Sequence, residues 1–369
     1  MNAPQRMGPG AKGQVVLVLQ GGGALGAYQA VVYEALCGAG VEPDWVIGTS
    51  IGAINAGLIA GNAPENRLPR LREFWKRVEQ DSPFGNFTTL SSGIPAFFAP
   101  RPITWGAGTQ VRVGLDMASY YDTAPLRETL TELMDARVLN ETRTRLTVGA
   151  VNVRSSKMRY FDSREQPVCL EHIMASGALP PAFPAIRIDG EAYWDGGLYS
   201  NTPLEAVLDD NPRRDSVIFA VNVWQPTGPE PASVWEVLGR EKDIMYASRA
   251  DSHIMRQKQI HRLRHVIREL VRHLPSDKKT IRECQELAAW GCATVMHVVR
   301  LLAPALASED YFKDIDFSSA GIRARWQAGI DDTRRMLERA PWDDPVDPME
   351  GIVVHELSKR TGEKVAQTA

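Results

Sequence analysis

Residues 15–52 read VVLVLQGGGALGAYQAVVYEALCGAGVEPDWVIGTSIG, and this stretch decides the fold. Residues 15–19 form a continuous, mostly β-branched apolar run, the composition of a strand buried on both faces of a parallel sheet. A glycine cluster, Gly21 to Gly26, follows at once, and residues 27–37 then read as a helix that stops at Gly38 and Gly40. Residues 45–47 are the next apolar run. Strand, helix and strand in so short a span make a βαβ unit, which predicts a mostly parallel sheet between two helical layers.

The second strand runs into Gly48, Thr49, Ser50, Ile51 and Gly52, and residues 53–60 read as a helix. G-x-S-x-G between a strand and a helix is a nucleophile elbow, in which Gly48 and Gly52 permit a sharp turn that presents the Ser50 hydroxyl. Serine is a weak nucleophile until a base takes its proton and hydrogen-bond donors receive the developing oxyanion.

Further along, residues 68–78 read as a helix with Leu71, Phe74, Trp75 and Val78 on its core face. Residues 81–116 lose all periodicity and carry Phe84, Phe87, Phe97, Phe98 and Trp105, either as a lid or acyl-binding wall or as a surface insertion packed down by its own aromatics. Pro125 opens a helix with Leu126, Leu130 and Leu133, and residues 146–153 and 158–161 read as strands. Residues 186–188 and 192–194 flank an Asp-Gly turn, and the second strand of that hairpin enters Asp195, Gly196 and Gly197. Residues 217–223 are the last clear buried strand before a proline-rich boundary at 225–231. Beyond it, Ile254, Ile260, Leu263, Ile267, Leu270 and Leu274 form a helical stripe opposite Arg256, Lys258, Arg262, Arg264, Arg268 and Arg272. Residues 294–301 read as an added strand and 322–337 as a helix. The expected organisation is a tail at 1–13, a catalytic domain at 14–224, a mainly helical extension packed on it at 225–340, and a polar tail at 341–369.

The chain has 369 residues, 44% of them apolar, enough for a substantial core, and a formal charge of -3 that argues against a general nucleic-acid binder. Its four cysteines are scattered, which suggests neither a disulfide framework nor a zinc site and fits a reducing, cytoplasmic setting. No segment reads as a signal peptide or a membrane span, so any work on lipid is expected from the water side. The basic segment 254–274 is a candidate for peripheral contact with an anionic membrane, its alternative being an ordinary solvated helix face.

The glycine cluster supports two chemistries. It satisfies G-x-G-x-x-G after a strand, the dinucleotide fingerprint, with Glu42 and Asp44 about twenty residues on. Both acids precede the second strand, however, whereas a ribose-binding carboxylate belongs at that strand's end. Beside a serine nucleophile, Gly21, Gly22 and Gly23 instead let backbone N–H groups converge on an oxyanion at the positive end of the next helix. Two kinds of base are open. One is a histidine among His172, His253, His261, His265, His273, His297 and His355; the α/β-hydrolases order Ser, acid, His, but Gln20 stands where their H-G-G-G loop has histidine. The other is Asp195, at a strand end, with a pKa raised by burial.

Taken together, Gly21 to Gly26, Gly48 to Gly52 and Asp195 to Gly197, in that order, make the chain resemble the patatin-like phospholipases, and residues 123–126, 175–184 and 201–204 look like that family as well. The resemblance covers roughly residues 15–223. It implies a three-layer α/β/α fold and a lipid acyl hydrolase, of phospholipase A or lysophospholipase type, with a Ser50–Asp195 dyad working through an acyl-enzyme. It also implies an oxyanion hole at Gly21, Gly22 and Gly23, structural support from Gly26, Gly196 and Gly197, an acyl-ester substrate and no cofactor; no calcium-binding loop is evident, so no metal is expected. Gln20 and Leu25 depart from the plant pattern, which has aspartate and a cation there. The same site could serve an acyltransferase or a storage-polyester or neutral-lipid esterase; a dinucleotide-binding oxidoreductase is the remaining alternative.

Overall fold

The computed structural model describes residues 8–79, 99–101, 112–306 and 309–357. Most of the aromatic loop read as a lid, including Phe84, Phe87, Phe97, Phe98 and Trp105, lies outside the described residues, as do residues 1–7 of the expected tail. Pro9–Lys12, within that tail, form a single 3-10 turn.

Nine strands form one sheet: β1 Gln14–Leu19, β2 Trp45–Gly48, β3 Arg145–Asn152, β4 Met158–Asp162, β5 Ile186–Ile188, β6 Glu191–Asp195, β7 Ser216–Asn222, β8 Met296–Leu302 and β9 Ile352–Glu356. The order β9-β8-β7-β1-β2-β3 is parallel throughout; β4 and β6 pair antiparallel with β3, and β5 with β6. The helices that frame the sheet include α1 Ala27–Gly38, α2 Ile51–Ala60, α3 Pro64–Val78, α4 Ala124–Leu133, α5 Leu170–Ser176, α6 Val234–His273 and α7 Ser319–Arg339.

Alternation along β1 builds the layers. Val15, Leu17 and Leu19 enter a core shared with α1, α2, α3 and α7, while Val16 and Val18 enter a second core closed by Leu204, Val207, Leu208 and, from α6, Ala250 and Ile254. The result is the expected α/β/α sandwich with a mostly parallel sheet.

Two expectations are corrected. The polar tail contains β9, whose Ile352, Val353 and Val354 pair in parallel with β8. Flanking charge hid so short a strand, and only the edge offered by β8 gives it a partner. The stripe on α6 is also rotated: its buried positions are Ile254, Gln257, His261 and His265, whereas Leu263 and Leu270 are exposed. Close approach at Gly351, where an added Cβ would lie 2.9 Å from the His261 Cβ, turns the imidazoles inward. There the His265 ring nitrogens lie 2.9 and 3.0 Å from the carbonyls of Pro348 and Thr294.

Both carbonyls precede strands, so the basic half of α6 lies at the N-terminal pole of the parallel sheet. The other half of α6 reaches the opposite pole, where β1 and β2 end. A helix of 40 residues spans roughly 60 Å, enough to do both.

Candidate active site

The strand pairings already bring two side chains together. Thr147 to Val151 of β3 pair on one edge with β4. On the other edge, Arg145 to Val148 pair with β2, and Ala150 to Asn152 pair with β6. β2 and β6 therefore meet end to end along one edge of β3, running toward each other, with Gly149 at the junction. β2 delivers Ser50 just past its last residue, and β6 ends on Asp195.

The elbow itself is built from close backbone contacts. Ser50 has φ 57° and ψ -126°, the left-handed region that an L-residue adopts only when its surroundings enforce it. Enforcement comes from three sides. The Thr49 N–H donates to Leu19 O at 3.2 Å, and the Ser50 N–H donates to Ser176, with both O and Oγ at 3.1 Å. A Cβ on Gly48 would lie 2.2 Å from Gly52 O, and one on Gly52 would lie 2.2 Å from Leu19 O. Both elbow glycines are thus required by main-chain approach, as the motif implies.

Asp195 is almost fully buried. Its Oδ1 accepts the Gly197 N–H at 2.7 Å, and its N–H donates to Ala178 O at 3.0 Å. Burial pushes the carboxyl up to about 7, against the lowering effect of the nearby Ser50 hydroxyl and of the Gly197 N–H. A serine hydroxyl close to a buried carboxyl that titrates near neutrality could pass its proton to that carboxylate. Gly196 packs on the junction, where its Cβ would lie 2.4 Å from Gly149 O.

The glycine loop leaves β1 beside Ser50; a Cβ on Gly21 would lie 3.0 Å from the Ser50 Cβ. The Gly21 N–H donates to Asn201 O at 3.1 Å, so Gly21 is not a free donor, contrary to the three-glycine oxyanion hole read from sequence. Among the described residues, the Gly22 and Gly23 N–H groups have no hydrogen-bond partner, and Gly23 holds φ +55°. Gly26 fits under the elbow, where its Cβ would lie 2.6 Å from Ile51 Cγ1. The positive N-terminal ends of α1 and α2 both follow these loops.

Three residues outside the motifs complete the arrangement. Ser176 Oγ, which receives the Ser50 N–H, donates to Gly149 O at 2.6 Å and so ties Ser50 to the junction. Asn201 sits between the glycine loops: its Oδ1 is 2.3 Å from where a Gly21 Cβ would be and 2.8 Å from that of Gly197. Both fall in the family-like stretches 175–184 and 201–204, but no spacing rule singles them out. The third is Tyr246 of α6, whose phenol is pushed up to about 12, first by burial and then by the charge of Asp195.

The competing assignments find other uses for their residues. Glu42 pairs with Arg67 at 2.7 Å, and Asp44 Oδ2 accepts the Val15 N–H at 2.8 Å, so neither awaits a ribose. His172 Nδ1 accepts the Cys169 N–H, and His297 and His355 lie against each other. Among the described residues no histidine contacts Ser50 or Asp195, and no cluster of side chains could hold a metal ion. A cavity of about 1120 Å³ beside Arg143, Arg164 and Arg214 lies at the N-terminal pole and includes no motif residue. No helix among the described residues is long and apolar enough to cross a membrane.

A family model described as patatin-like phospholipase matches residues 17–208, and one described as patatin phospholipase matches residues 244–349. A curated cGAMP-activated phospholipase from Pseudomonas aeruginosa is 30% identical over 201 residues, 51% of this chain and 54% of its own length. The chain thus spans about half the length of that relative. Among solved structures, VipD from Legionella pneumophila aligns with 89% of this chain and 67% of its own, at 15% identity and a TM-score of 0.37. The type III effector ExoU aligns with 86% of this chain and 54% of its own, at 12% identity and a TM-score of 0.25.

Proposed function

From the premise that the chain belongs to the patatin-like phospholipase family, we propose that it is a lipid acyl hydrolase working through a Ser50–Asp195 dyad. The observation that carries this reading is the junction on β3, which sets a strained serine against a buried carboxyl poised near neutrality. Ser50 Oγ attacks the ester carbonyl carbon as Asp195 takes the hydroxyl proton. The Gly22 and Gly23 N–H groups receive the oxyanion. Collapse of the tetrahedral intermediate expels the alcohol, protonated by Asp195, and leaves an acyl-serine. A water molecule then gives one proton to Asp195 and attacks the acyl carbon, and collapse of this intermediate expels Ser50 Oγ, which takes the proton back from Asp195 as the fatty acid leaves.

An apolar acyl group suits the rim of the site. Leu198 and Tyr199, directly after Gly197, are 40% and 52% exposed, and Met245, beside Tyr246, is 51% exposed. This rim is where the acyl group of the lipid would be engaged. A fluorophosphonate probe is expected to label Ser50. Ser50→Ala and Asp195→Asn should each lower ester hydrolysis by a factor on the order of 10³ or more while the fold is retained. Full esterase activity in Ser50→Ala would overturn the assignment. Product analysis with added acceptor alcohols separates hydrolysis from acyl transfer.

A further inference from the structure

Residues beyond the proline-rich boundary reach back to the glycine loop at two points. The Asp314 carbonyl accepts the Ala24 N–H at 2.8 Å and presses on Gly23, where a Cβ would lie only 2.1 Å from it. The Tyr246 carbonyl accepts from Gln20 Nε2 at 3.2 Å and from Asn201 Nδ2 at 3.4 Å, the two side chains that bracket Gly21. The Tyr246 ring lies 4.9 Å from that of Trp224, whose Nε1 donates to Gly21 O at 2.7 Å.

These two carbonyls are themselves fixed. Lys242, one turn of α6 before Tyr246, donates to both carboxylate oxygens of Asp314 at 2.8 and 3.0 Å and to Tyr311 O at 3.2 Å. Lys313 Nζ lies 2.7 Å from Asp243 Oδ1, which also accepts the Gln225 N–H at 3.0 Å. Gln20 is satisfied on every side. Its Oε1 accepts the N–H groups of Val223 and Trp224, and its Nε2 donates to Thr202 as well as to Tyr246. It works as a clasp between the loop, the exit of β7 and α6.

We propose that the C-terminal extension is a working part of the catalytic site: Tyr246 and Asp314, braced by Lys242, are positioning residues that hold the Gly22 and Gly23 N–H groups in register with Ser50. The loop is held from the extension by the Asp314 carbonyl at Ala24 and by the Tyr246 carbonyl through Gln20 and Asn201. Oxyanion stabilisation depends steeply on donor placement, so slackening this support slows attack at Ser50 without displacing the Ser50–Asp195 pair.

The proposal rests on the Ser50 reading and is tested on the full chain with a fluorophosphonate, whose phosphonyl oxygen needs the same donors. The second-order rate constant of labelling and its final extent are measured separately. Lys242→Met and Tyr246→Ala are each expected to lower the rate constant about tenfold to a hundredfold with final labelling unchanged. Tyr246→Phe, which keeps the ring against Trp224, is expected to restore most of the loss. Amide exchange should quicken in residues 20–26 of the two slow variants and stay unchanged in β2. Wild-type rate constants in both variants overturn the proposal. So does a fall only in final extent, which marks loss of folded protein, or an equal loss in Tyr246→Phe, which would make the phenol the agent. If the unaltered chain is not labelled at all, it is the Ser50 assignment that fails.

Discussion

On the proposed mechanism, Asp195 is the residue through which pH acts on the site. Its ordinary carboxyl value of 3.8 rises to about 7 because burial disfavours the charge more than the nearby Ser50 hydroxyl and the Gly197 N–H favour it. A base must be ionised to accept a proton. Ester hydrolysis, followed as kcat/KM, should therefore fall about tenfold per unit below pH 6 or so and level off above roughly pH 8. A profile flat across that range would contradict the role. The sign for stability is opposite to that for activity. A carboxyl raised in the folded state stabilises the fold fully below about pH 4, and that contribution is lost as pH climbs through about 7. His261 and His355 do not mimic this limb: burial holds both down at about 4.

Among the elements, the elbow is the least forgiving. An alanine Cβ at position 52 would meet the Leu19 carbonyl at 2.2 Å, and main chain cannot swing aside as a side chain can. Gly52→Ala must push α2 away from β1, and we expect a loss of about 1–3 kcal/mol or more, read as a lowered thermal midpoint together with slower Ser50 labelling. A midpoint equal to that of the unaltered chain would refute the close-approach account. This part of the structure was legible in the sequence because its demands are local: a glycine before and after the serine, apolar runs on either side, and Asp-Gly-Gly at the end of a hairpin. The face of α6 was not. Leu263 and Leu270 match the periodicity of a buried stripe, yet partners distant in sequence, Gly351 and the turn before β8, select His261 and His265 instead. Ser176, Asn201, Tyr246 and Asp314 escaped for the same reason. Much of their work is done by main-chain atoms or by a side chain meeting the main chain of a remote segment, and no spacing in the sequence marks such contacts.

At the scale of the whole molecule, the division at residue 225 is a feature of the sequence more than of the fold. Every residue of β7 is buried, and β8 pairs with it along its full length, so the sheet continues unbroken into the extension. A chain ending at residue 224 would expose an apolar edge seven residues long, and we expect it to elute as aggregate in size-exclusion chromatography where the full chain is monodisperse. A well-behaved, fluorophosphonate-reactive fragment would show that the edge tolerates exposure. The meeting of β2 and β6 on one edge of β3 has a mechanical consequence. On the proposed mechanism, a single strand, between Val148 and Ala150, acts as the ruler for the distance from nucleophile to base, whereas the oxyanion donors depend on a scaffold from residues after the proline-rich boundary. Proton transfer and charge stabilisation therefore answer to different parts of the molecule. Force or loosening that enters through the later segments acts as a throttle on the second and leaves the first at full readiness.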